Sequence, residues 1–150
     1  MPQSFTCLHY HLIFSTKQRA PLITADLQPR LYDYIGGIIR GQDGCLLAAG
    51  GMPDHIHLLA RLSKEVSVSG ALRVIKTNSS KWVHETFPDH HAFAWQTGYA
   101  AFCVSYSGLE SVKHYIASQA EHHRTVSFQD ELRTFLRRHQ MEFDERYLWT

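Results

Sequence analysis

The sequence predicts a single α+β domain, a sandwich of helices on a mostly antiparallel sheet. Three observations lead there. Short apolar runs that read as strands recur at 7–15, 45–49, 55–62 and 100–105, the first of them rich in β-branched and aromatic residues. Helical periodicity fills 26–40 and 68–87 between them. The 150 residues also contain no Pro/Gly/Ser-rich linker that would divide them, so one unit is expected, with a core over about 5–124 and a C-terminal helix and tail from about 125 onward.

Each element can be justified in turn. Across 7–15, Tyr10, Leu12 and Phe14 alternate with His9, His11 and Ile13, as a central strand requires, and His9 and His11 form a His-x-His pair on one of its faces. A polar loop carrying Lys17 and Arg19 follows, cations suited to a phosphate. The helix of about 26–40 turns Leu27, Leu31, Ile35 and Ile38 inward, and Pro29 sits in its first turn, where no hydrogen bond is lost. Residues 45–49 read as a strand, 50–54 as a hairpin turn and 55–62 as the partner strand.

The helix of 68–87 buries Val68, Leu72, Ile75, Trp82 and Val83 and leaves Arg73, Lys76 and Lys81 outside that stripe. Two short strands are expected at 94–95 and 100–105. Ser107 with Glu110 reads as a capping box, starting a helix in which Leu109, Val112 and Ile116 form the apolar stripe. Tyr115 and Gln119 then stand one turn apart on a neighbouring face. A second capping box, Ser127 with Asp130, opens a helix to about residue 139 carrying Phe128, Leu132, Phe135 and Leu136. The aromatic tail beyond it should dock on the core or on a second subunit. This order of strands and helices resembles the ferredoxin-like or RNA-recognition-motif arrangement.

Composition narrows function less than pattern does. The formal net charge is +1, so no global field gathers nucleic acid, and any basic surface has to be local. The candidates are Lys17, Arg19, Arg61, Arg73, Lys76 and Lys81, although scattered cations of this kind are ordinarily solvated. Cys7, Cys45 and Cys103 are odd in number and far apart, which argues against a disulfide framework or a zinc knuckle and leaves them as small buried hydrophobes. With no cleavable leader and no apolar run near eighteen residues, a cytoplasmic protein of a bacterium or archaeon is expected.

The most informative stretch is Gly50-Gly51-Met52-Pro53-Asp54-His55-Ile56-His57-Leu58-Leu59-Ala60. Strand side chains alternate faces, so His55 and His57 point the same way, with Cα atoms roughly 6.5–7 Å apart. Two imidazoles at that spacing can close around one divalent ion. A bare His-x-His in a chain with eleven histidines is more often an ordinary strand pair, so a third ligand must support it.

Four runs taken together supply that support: His55-Ile56-His57-Leu58-Leu59, Lys76-Thr77-Asn78-Ser79-Ser80-Lys81-Trp82, Trp95-Gln96-Thr97-Gly98-Tyr99 and Tyr115-Ile116-Ala117-Ser118-Gln119. With Tyr10-His11-Leu12-Ile13-Phe14-Ser15-Thr16-Lys17 before them, they resemble the insertion-sequence-200/605 group of single-tyrosine HUH transposases, the superfamily that includes the REP-associated tyrosine transposases. The resemblance covers about the first four-fifths of the chain and implies the HUH endonuclease fold, which is of the ferredoxin-like kind.

It also implies a chemistry. Tyr115 is then the nucleophile that forms a 5′-phosphotyrosine with single-stranded DNA beside a hairpin, and His55, His57 and Gln119 hold Mg2+ or Mn2+. His9, His11 and His122 are candidate supporting groups around them. The partners implied are hairpin-bearing single-stranded DNA and a second copy of the chain, in a homodimer whose composite sites take the tyrosine helix from the other subunit. Two other readings use the same residues: a hairpin DNA- or RNA-binding module that no longer cuts, and a metal-dependent phosphoesterase that attacks with water.

Overall fold

In the computed structural model, which describes residues 3–149, the chain runs β1 (His9–Ser15), α1 (Leu27–Gly41), β2 (Cys45–Met52), β3 (His55–Arg61), α2 (Val68–Thr86), β4 (Ala100–Val104), α3 (Leu109–Ala117), α4 (Gln119–His122) and α5 (Phe128–Arg138). The sheet is antiparallel throughout, in the order β2-β3-β1-β4. Strand, helix, strand pair, helix and strand in that order make the expected ferredoxin-like unit.

Alternation along the strands sorts side chains between two helical layers. Leu12, Phe14, Ile56, Leu58 and Ala60 face α1 and α2, meeting Leu31, Ile35, Leu72 and Ile75 in the main core. Each such fully buried Leu or Ile contributes roughly 1.5–3 kcal/mol by leaving water. The opposite face carries Ile13, Leu59 and Phe102, covered by Leu109 and Ile116 of α3 and by Phe128, Leu132 and Leu136 of α5. The histidines of β1 and β3 belong to that second face, so the sheet presents them to α3, α4 and α5.

Several local expectations change. The β2 strand runs on through Gly50 to Met52, because those residues still pair with His57 to His55, and the turn shrinks to Pro53 and Asp54. Ala94-Trp95 forms no strand, only a single bridge between Trp95 and Thr16. Ser107 does not cap α3: its hydroxyl meets that of Ser105 while Gly108 holds the cap position, since a short 3-10 turn over Tyr106–Gly108 intervenes. The Ser127 hydroxyl does cap α5, accepting from the Asp130 amide at 3.1 Å. Cys7 and Cys103 are exposed and Cys45 half-buried, so these three free thiols are not core hydrophobes.

The Trp-Gln-Thr-Gly-Tyr run acts as a brace. Gln96 Oε1 accepts from the Ser15 amide at 2.6 Å and from the Ser15 hydroxyl, while Trp95 Nε1 donates to Ser79 Oγ at 3.0 Å. From α2, Lys76 Nζ donates to the carbonyls of Gln96, Thr97 and Gly98. The end of β1 is thereby tied to α2. Among the described residues, no helix is long and apolar enough to cross a membrane.

Candidate active site

The sheet register places the first groups. His55 and His57 are both buried on the face under α3 to α5, and His11, on the neighbouring strand, brings Nε2 to 2.8 Å from His57 Nδ1. His55 Nδ1–H donates to the Asp54 carboxylate at 2.8 Å. Burial opposes the Asp54 charge more than any single contact favours it, but the bond from His55, the nearby His55 and His123 rings and a backbone hydrogen bond together outweigh it and hold that carboxyl below its ordinary range. Both rings therefore turn Nε2 toward α3, α4 and α5.

Two helices bring the rest. α3 lies on β2 where Gly50 has no side chain: a Cβ there would collide with the Ile116 carbonyl oxygen. The adjacent Tyr115 then reaches over His57, ring centroids 5.8 Å apart. The helix breaks at Ser118 (φ −98°, ψ 18°), and Gln119 opens α4 with its side chain buried at the centre. Its Oε1 lies 3.3 Å from His55 Nε2 and 2.9 Å from His123 Nε2.

The sequence reading omitted two residues that meet these groups, His123 and Glu131. Glu131, on α5, is 3 % exposed, with Oε1 2.9 Å from His57 Nε2 and 3.4 Å from His123 Nε2. Its Oε2 accepts from the Tyr115 hydroxyl and, at 3.3 Å, from Gln119 Nε2, and lies 3.1 Å from His122 Nε2. A signal for Glu131 exists in the sequence. Phe128, Leu132 and Phe135 mark one face of α5, and position 131 falls on that face where an apolar residue belongs. His123 gives a weaker one, four residues after Gln119 and so on its helical face.

Electrostatics follow from burial and contact. Burial would raise the Glu131 carboxyl, but the bonds from His57 and Tyr115 and the nearby His123 outweigh it and hold it at about 2. Burial, then the facing Glu131 carboxylate, push the Tyr115 phenol well above its ordinary range. Burial also lowers His57, despite Glu131, and takes His11 down to about 3. The phenol is held neutral, against an ionised acceptor.

The donor set suits a divalent ion. One ligand atom from each of His55, His57, His123 and Glu131 lies within 4.8 Å of all the others, and Gln119 Oε1 sits among them. Donors about 2.0–2.2 Å from one centre stand roughly 3–3.5 Å apart in tetrahedral or octahedral geometry, close to the 2.9–3.4 Å separations just given.

The other expected residues lie elsewhere. His9 is buried beside Cys7 and Tyr106, away from the cluster. Arg19 borders the cleft formed by Pro53, His55, His123 and Phe128, a cavity of about 380 Å³. Arg61 is at the far end of β3. Arg73, Lys76 and Lys81 belong to α2 in the opposite layer, where Lys81 faces Glu85 in solvent and Lys76 is occupied by its three carbonyls, burial lowering it to about 8.

Comparisons with known proteins concern the same part of the chain. A family model described as IS200-like transposase matches residues 4–119. The ISDra2 transposase TnpA of Deinococcus radiodurans is 24% identical over 117 residues, spanning 75% of this chain and 84% of that protein. A putative transposase from Deinococcus radiodurans shares the fold with TM-score 0.62 at 24% identity, over 79% of this chain and 98% of that one. A REP-associated tyrosine transposase, solved bound to a REP hairpin, superposes with TM-score 0.60 at 17% identity, over 84% and 74% of the two chains. His123 and α5 lie beyond the family match.

Proposed function

Because the chain belongs to the IS200-like transposase family, we propose that it is a metal-dependent single-strand DNA transposase in which Tyr115 attacks a phosphodiester at hairpin-bearing element ends. The observation that carries this reading is the Tyr115 hydroxyl, set against Glu131 among His55, His57 and Gln119. Nucleophile, hydrogen-bond acceptor and ion-holding groups meet at one point.

The residues divide the work. His55, His57 and Gln119 would hold the ion, with Asp54 and His11 orienting the two imidazoles. When bound, Mg2+ or Mn2+ supplies Lewis-acid neutralisation of the scissile phosphate. The Tyr115 oxygen, oriented by the bond its hydroxyl donates to Glu131 Oε2, bonds to phosphorus in line as the P–O3′ bond breaks, and the proton the phenol gives up is taken by the departing 3′-oxygen, leaving a 5′-phosphotyrosine and a free 3′-hydroxyl. Another 3′-hydroxyl attacking the same phosphorus displaces Tyr115 and rejoins DNA, so strand transfer follows cleavage without an external energy source.

Arg19 is the first candidate for a phosphate contact, since it borders the cleft at His55. A cytoplasmic setting in a bacterium or archaeon suits this substrate. A homodimer is part of the proposal, with each tyrosine facing the histidines of its own chain, as here, or exchanged with α3 between copies. The test is covalent capture on denaturing gels, using labelled single-stranded hairpins with manganese or magnesium. A protein–DNA band is expected from wild type and from neither Tyr115→Phe nor His57→Ala. Hairpin binding by all three without any band would favour the non-catalytic binding module.

A further inference from the structure

The ion-holding groups of the proposed reaction are two histidines and a glutamine, yet five side chains converge on the same point. The two additional ones, His123 and Glu131, come from the part of the chain beyond the family match. What they add follows from where the protons must be.

His55 Nδ1 faces a carboxylate and therefore carries hydrogen. His123 Nδ1 lies 2.6 Å from the Val126 carbonyl, which only accepts, so it carries hydrogen too. In their neutral forms both rings then turn bare Nε2 lone pairs inward. Gln119 does the same with Oε1, because its Nε2 is directed at Glu131 Oε2. His123 Nε2 and Gln119 Oε1, 2.9 Å apart, are thus two acceptors in contact, and His55 Nε2 joins them at 3.3 Å. Glu131 Oε1 adds an anionic oxygen within 3.7 Å of all three imidazole Nε2 atoms. Acceptors packed together in a buried space repel unless a cation lies between them.

We propose that His123 and Glu131 close a site of three imidazoles and one carboxylate with His55 and His57, and that this site selects a transition ion over magnesium. The assignment rests on the reading of His55 and His57 as ion-holding groups and goes beyond it in ligand set and in metal class. Three imidazole nitrogens favour cobalt, zinc or manganese, whereas magnesium requires oxygen donors and gives up its waters reluctantly. His57 Nδ1 then carries the proton it shares with His11, so each of the three imidazoles has an acceptor fixed behind it: Asp54 for His55, His11 for His57 and Val126 for His123.

The probe is Co2+ alone, titrated into purified protein and followed by visible absorption and calorimetry. One Co2+ per chain is expected for wild type, with the intense d–d bands of a low-coordinate ion. E131Q and H123Q should each bind at least about 10-fold more weakly, and equimolar Mg2+ should leave the bands unchanged. Circular dichroism checks that the variants fold, and E131Q keeps nearly the same shape in case H123Q does not. Wild-type Co2+ binding by both E131Q and H123Q, with binding lost in H57A, would overturn the proposal and leave the smaller histidine-glutamine site standing. Displacement of Co2+ by equimolar Mg2+ would also overturn it. Wild-type binding by H57A as well, or none by wild type, would remove both this proposal and the metal dependence of the proposed function.

Discussion

His11 Nε2 and His57 Nδ1 stand 2.8 Å apart between adjacent strands, sharing one proton in a buried contact. Burial, reinforced by His57, holds His11 near 3 in place of 6.5, so the folded ring refuses a proton that the unfolded ring accepts. The stability this represents is complete above 6.5 and is lost as pH falls toward 3, at about 1.4 kcal/mol per pH unit. Glu131 adds to the loss below its unfolded value of 4.5, since its folded carboxyl stays ionised to about 2. Urea unfolding of metal-free protein across the acid range should show this slope, flattened in His11→Gln between 6.5 and 4.5. Parallel curves for the two proteins would count against it.

Tyr115→Phe removes the hydroxyl that donates to Glu131 and leaves the ring's packing intact. The covalent adduct should vanish while hairpin affinity, measured by gel shift, stays within about twofold. A hydrogen bond to a charged group contributes roughly 1.5–3 kcal/mol, so thermal unfolding should report a loss no larger than that.

A single chain holds both Tyr115 and its histidines, and subunit mixing tests whether that arrangement operates in solution. If each tyrosine serves its own chain, Tyr115→Phe mixed with His57→Ala should remain inactive in adduct formation. Activity restored toward a quarter to a half of wild type on mixing would establish exchange of α3 between partners.

Gly50 is the seat of α3. In Gly50→Ala the new methyl meets the Ile116 carbonyl, backbone that cannot swing aside. A destabilisation of about 1–3 kcal/mol is expected. Adduct formation should fall further than stability does, because the displaced helix carries the nucleophile. Unchanged kinetics with unchanged unfolding would show that α3 does not depend on this seat.

Periodicity read the strands and helices well because it reports which face is buried, and that is a local property of sequence. It assigned β1, α1, β3 and α2 to within a few residues, and the pairing of His55 with His57 follows from the same alternation. Ser107 misled it. The Ser/Glu spacing satisfies a capping box, but the backbone spends Tyr106–Gly108 on a 3-10 turn first. Glu131 and His123 leave only the faint local signals of an acid on an apolar face and a histidine one turn after Gln119, because they join the site through tertiary packing of α5 and the bend at Ser118, and no local pattern specifies where a chain returns. Lys76 looked like a free surface cation because its three acceptors lie twenty and more residues away.

Pro53 and Asp54 make the shortest hairpin connection a sheet allows, and both are engaged beyond the turn. The Asp54 carboxylate holds His55, its carbonyl accepts from the Thr16 amide at 2.9 Å, and the Pro53 carbonyl accepts from the Ile23 amide at 2.9 Å. Surface turns are usually where homologous chains drift in length. Here one inserted residue would unhook the loop after β1 and turn His55 away from its carboxylate in the same stroke, so length at this tip should be as fixed in evolution as the histidines themselves.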